Sequence, residues 1–145
     1  MIFAGVSRVC ELSSLRRLEI EASSASDDGF SNLWCLSQLE ELRVQGYNKD
    51  NHSTHDNNGD RNLDNQSMLL FNVSMLHNLR SLYLRGTGVK DSGLVHLTSL
   101  PSLTSLALWS CNNVSDDGLK HVSNMTTLRN LEVGYLCFKK ETFNS

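Results

Sequence analysis

At 145 residues and 39% hydrophobic content, the chain is sized for one domain built on one core. A formal net charge of −3 and a sequence pI near 5.9 supply no basic field for nucleic acid. No apolar run approaches the length needed to span a membrane.

In chain order, the opening "MIFAGVSRVCELSSL" has too short an apolar stretch, and too early a charge, for a signal peptide. Its segment "GVSRVCEL" aligns instead with "GLVHLTSL" further on, which places Gly5 on Gly93. Leu15, Leu18 and Ile20 then form an aliphatic triplet that ends with the alternation of a very short strand. Phe30 and Leu33 follow with the spacing of one helical face, and the triplet returns as Leu39, Leu42 and Val44. Beyond a polar stretch come Leu70 and Val73, then Leu79, Leu82 and Leu84. Leu94 and Leu97 lead to Leu103, Leu106 and Leu108, and Leu119 and Val122 lead to Leu128, Leu131 and Val133. The chain closes on Phe138 and Phe143, which match Val89 and Leu94 in a further partial unit. Three of the helical halves begin with an aspartate two residues before a glycine, as Asp27/Gly29, Asp91/Gly93 and Asp116/Gly118. That aspartate is expected to be an N-cap accepting from the open amides of the first turn, with Ser67 in its place where the acid is missing.

From Leu79 to Leu103 the unit is 24 residues long, and it alternates strand, turn and short helix. The few aliphatics in one unit cannot offset the entropy of ordering it, so units must stack and share a core. The pattern resembles the leucine-rich repeat family, L-x-x-L-x-L-x-x-(N/C)-x-L, over almost the whole chain. The resemblance implies an α/β solenoid, with a short parallel sheet on the concave side and short helices on the convex side. Residues 1–145 are then a single domain of about five repeats, partial at both ends, and a piece of a longer protein is the expectation. Cys111 and the "D-x-G-L" ending are similar to the cysteine-containing subclass seen in F-box adaptor proteins. The position of Cys111 is held by Ser23, Tyr47, Thr87 and Leu136 in the other repeats.

One repeat departs from the period, since Leu39 to Leu79 is 40 residues. The excess lies in residues 47–67, dense in Asn and Asp and nearly free of aliphatics, and is expected to be a flexible insertion. Its acids and His52 and His55 do not make a metal site: Arg61 stands where a calcium loop needs glycine, and Ser67 where it needs glutamate. Repeat insertions often border a binding face, which makes a recognition flap the other reading of this segment. Cys10, Cys35, Cys111 and Cys137 include no C-x-x-C pair and are expected to be reduced packing residues, which favours an intracellular protein. Against that stand Asn-X-Ser/Thr sequences at Asn51, Asn65, Asn72, Asn113 and Asn124, usable only in a secretory pathway.

No phosphate-cradling loop, nucleophile elbow or zinc helix is present, so neither an enzyme nor a cofactor is expected. Function is expected on the concave face, where strand residues alternate away from the core. The candidates for partner binding are Glu19, Arg43, Tyr83, Arg85, Trp109 and Glu132. Glu19 should face Arg43, and Arg85 should lie beside Trp109, either as part of a hot spot or stacked on its ring. The expected function is a protein-protein interaction module binding a partner on this face. The family resemblance extends this to substrate recognition for a ubiquitin-ligase adaptor. The alternative is a structural or cell-surface repeat segment with a glycosylated convex side.

Overall fold

The computed structural model describes residues 8–22, 30, 32–46 and 65–136. Five strands, β1 (Arg17–Ala22), β2 (Glu41–Gly46), β3 (Ser81–Arg85), β4 (Ser105–Trp109) and β5 (Asn130–Gly134), form one parallel sheet in sequence order. Between strands the chain crosses back through helices α1 (Asn65–Val73), α2 (Asp91–Leu94) and α3 (Asp116–Ser123), with 3-10 turns at Leu33–Cys35 and Val95–Ser99. This is the α/β solenoid expected from the triplets. The triplet register holds throughout: Leu18, Leu42, Leu82, Leu106 and Leu131 are lateral partners, as are Ile20, Val44, Leu84, Leu108 and Val133.

The core is the stack of these aliphatics in the middle repeats. Leu39, Leu79 and Leu103 form one buried column, Leu42, Leu82 and Leu106 the next, and Leu70, Leu94 and Leu97 close it from the helical side. Burial fades at the sheet edges. Leu18 and Ile20 in β1 are half-buried, and in β5 Leu131 remains 46% exposed. An inward strand residue is covered when a unit stands on each side of it, and among the described residues β4 alone pairs with β5.

Successive units are tied by a repeated backbone device. The carbonyls of Arg16, Glu40, Arg80 and Thr104, just before each strand, each accept from two amides of the following unit, for example Arg80 N at 2.8 Å and Ser81 N at 3.0 Å on Glu40. The turns after β3 and β4 make a second tie: Gly86 N donates to Trp109 O at 2.8 Å, and Ser110 N donates to Gly134 O at 2.9 Å. Gly86, Ser110 and Tyr135 occupy this same turn position with φ of 62°, 52° and 53°. Two residues with a Cβ are thus held in the left-handed region that favours glycine.

The helix starts differ from the expected caps. Lys90 and Ser115 precede α2 and α3, so Asp91 and Asp116 stand inside the first turn rather than at the N-cap. Asp91 spends its carboxylate on the next unit, accepting from Ser115 N at 2.7 Å and from Ser115 Oγ at 2.6 Å. Ser67 lies within α1, which begins at Asn65. Asp27 lies outside the described residues, as does the insertion apart from residues 65–67, the first turn of α1. Asp116 and Asp117 at the start of α3, with Lys120 and His121 in its last turn, complement the helix dipole.

The cysteines part company. Cys111 is buried and free, its sulfur 3.5 Å from the hydroxyl of Thr87, the equivalent residue one repeat earlier. Burial pushes its thiol pKa up, against a smaller opposing pull from the Thr87 hydroxyl. Cys10 and Cys35, expected to be reduced, instead form a disulfide between the first two units. They are 25 residues apart, one more than the 24-residue unit, so stacking brings neighbouring positions of consecutive units together. Cys137 lies outside the described residues.

Candidate protein-binding face

The sheet has one face packed on the core and one open, and the open face displays side chains in lateral rows because strands alternate. One row runs Glu19, Arg43, Tyr83, Ala107, Glu132, and the next runs Glu21, Gln45, Arg85, Trp109, Gly134. All six candidate residues therefore fall on one surface spanning the five strands. The lateral pairs Glu19 with Arg43 and Arg85 with Trp109 stand as expected.

Their contacts sort them into two clusters. In the first, the Arg43 guanidinium lies over the Tyr83 ring, 4.3 Å from its centroid, and its Nε donates to Glu41 Oε1 at 2.7 Å. Hydrogen bonding to Glu41 raises the Arg43 pKa above its ordinary value, with Tyr83 and Glu19 adding smaller contributions. Arg17 reaches the same carboxylate at 3.7 Å, so Glu41, not Glu19, is the anion that holds this corner. The cation–π pair is thus made by Arg43 on Tyr83, and not by Arg85 on Trp109, the alternative to a hot spot at that pair.

In the second cluster, the Trp109 ring packs against Tyr135 with centroids 6.3 Å apart. Its Nε1–H points to Glu132 Oε2 at 3.4 Å. The ring extends over Gly134, where an added Cβ would come within 2.3 Å of Trp109 Cζ3, so only glycine leaves room for it. Trp109 is 38% exposed and Tyr135 is 80% exposed. Tyr135 was missed in the sequence because it follows the strand and matches no member of the triplet. Only its alignment with Gly86 and Ser110 marks it, as a bulky residue in a turn position that favours glycine.

Arg85 stands between the clusters, exposed and without an ion pair among the described residues. The face therefore offers two anchored aromatic groups, one free guanidinium and a border of carboxylates at Glu19, Glu21 and Glu132. Aromatic residues and arginine are the types that concentrate binding energy in protein interfaces. Among the described residues no group of His, Cys, Asp and Glu could hold a metal ion, and no helix is long and apolar enough to cross a membrane.

No protein-family model and no curated protein sequence matches the chain. Among solved structures it is similar to an internalin C2 from Listeria monocytogenes, at 19% identity and a TM-score of 0.48 over 88% of this chain. It is similar also to an internalin (inlF) from the same organism, at 28% identity and a TM-score of 0.48 over 90% of this chain. The chain spans 55% of the first protein's length and 38% of the second's. On its own evidence, an aliphatic triplet recurring through five parallel strands in one register, the chain is a leucine-rich-repeat solenoid.

Proposed function

We propose that the chain is a protein-binding module whose partner docks on the open face of the sheet, across Arg43, Tyr83, Arg85, Trp109 and Tyr135. The observation that carries this is the exposed Trp109–Tyr135 pair beside an unpaired Arg85. Large rings held at the surface by a glycine platform and a strained turn gain little stability there, and they suit a partner that covers them. Glu19 and Glu132 would border the footprint and favour a partner segment carrying positive charge at its ends.

Two settings extend the proposal. Cys111 in the N/C position of the repeat supports substrate recognition for a ubiquitin-ligase adaptor. The Cys10–Cys35 disulfide supports the cell-surface segment instead, because such bonds are rare in the reducing cytosol. We adopt the second setting, in which the open face still binds.

The test compares Trp109→Ala and Tyr135→Ala with Lys120→Ala on the opposite, helical side, each used to recover partners from native extract. The two aromatic variants should weaken recovery of a specific partner by about 2 kcal/mol or more at unchanged melting temperature. Equal recovery by all three would reject the open face as the binding surface.

A further inference from the structure

Five Asn-X-Ser/Thr sequences run through the chain, and the binding face uses none of them. The fold places three of them; Asn51 lies outside the described residues, and Asn65 is described in its backbone alone. Asn72 is only 6% exposed within α1, and its amide nitrogen is enclosed with no hydrogen-bond partner among the described residues. No sugar can stand on it in the folded chain. Asn113 is exposed in the turn that joins β4 to α3, and Asn124 is exposed at the C-cap of α3. No open-face position of the five strands begins such a sequence.

A second observation is independent of the motif. The disulfide between Cys10 and Cys35 joins consecutive units, and disulfides form and persist in oxidising compartments. Those are the compartments through which chains glycosylated on Asn-X-Ser/Thr pass.

From these two observations we infer that the chain folds in the secretory pathway and carries N-linked oligosaccharides on Asn113 and Asn124, with Asn72 bare. The inference rests on the cell-surface setting adopted above and not on which face binds the partner. In the transfer, the side-chain Nδ2 bonds to the anomeric carbon of a lipid-pyrophosphate-linked oligosaccharide. The bond from that carbon to the pyrophosphate oxygen breaks, and one amide proton leaves. One N–H remains on the nitrogen, so Asn113 Nδ2, 3.4 Å from Gly88 O, keeps a donor after the modification. Sugars at both ends of α3 would shield the helical side of the last described repeat and leave the open face bare for its partner.

The test takes the tagged full-length protein from the cells that make it, with free thiols alkylated at lysis. Peptide-N-glycosidase in heavy-oxygen water converts each glycosylated asparagine to a labelled aspartate, and peptide mapping reads the label. Label is expected at positions 113 and 124, unmodified asparagine at 72, and Cys10 and Cys35 in one linked peptide. Asn113→Gln and Asn124→Gln should each remove one step of gel mobility shift. Bare asparagine at both 113 and 124, or label at 72, would overturn the inference. Trp109→Ala leaves both sequons intact and should be glycosylated like the wild type, so failure here is separate from failure of the binding face.

Discussion

Gly118 tests the packing of the helical layer, because helix propensity and tertiary packing pull in opposite directions there. The residue is the third of α3, in its first turn, where alanine in place of glycine favours an isolated helix by at most about 1 kcal/mol. In the structure an added Cβ would sit 2.3 Å from Asp91 Oδ1 and 2.9 Å from Leu94 Cδ1. Asp91 cannot swing aside cheaply, because Oδ1 and Oδ2 hold Ser115 N and Ser115 Oγ. Forcing a methyl into such a contact costs about 1–3 kcal/mol, and each hydrogen bond to the carboxylate that is lost costs about 1.5–3 kcal/mol more. Packing therefore outweighs propensity, and Gly118→Ala should destabilise the domain by about 2 kcal/mol. For a chain of this size that is a fall in melting temperature of about 4–8 °C, measured by circular dichroism. Asp91→Ala should remove most of the clash, so the double variant should lose less than the sum of the two single losses. A rise in melting temperature for Gly118→Ala alone would refute the contact between α2 and α3 and leave propensity as the governing term.

Cys35→Ser opens the only disulfide among the described residues and should cost about 3 kcal/mol, with reductant lowering the wild-type urea midpoint to match. A midpoint indifferent to both would remove the crosslink. The raised Cys111 pKa favours the protonated thiol in the folded chain. Its stabilisation is therefore complete below the ordinary thiol pKa and is lost as pH rises toward the raised value. Urea midpoints measured from neutral to alkaline pH should fall more steeply for the wild type than for Cys111→Ala, and equal slopes would contradict the burial of that thiol.

The strands and their register were legible because each repeat carries the same triplet, and a period-two element leaves no choice about which side chains face the core. That is why the lateral pairs Glu19 with Arg43 and Arg85 with Trp109 followed from spacing alone. What spacing does not decide is where a long side chain goes. Arg43 had Glu19, Glu41 and Tyr83 within reach and took the last two. The helix caps were misplaced by one residue for a related reason. An aspartate before a glycine reads locally as a cap, but in a stacked fold the next unit's Ser115 competes for the same carboxylate and wins. The disulfide is foreshadowed only by two cysteines about one repeat apart, because stacking, and not a C-x-x-C spacing, is what brings them together. The exposure of Leu131 could not be read from its triplet, since burial there depends on a neighbouring unit rather than on the residue itself.

The binding face is tested most directly by position-specific crosslinking in native extract. A photoreactive residue at position 85 on the open face would be compared with one at position 120 on the exposed side of α3. A discrete adduct with a specific partner is expected from position 85 and none from position 120, and the position 85 adduct should disappear when Trp109→Ala is added. Adducts from position 120 alone, or an adduct from position 85 that survives the loss of Trp109, would contradict docking on the open face.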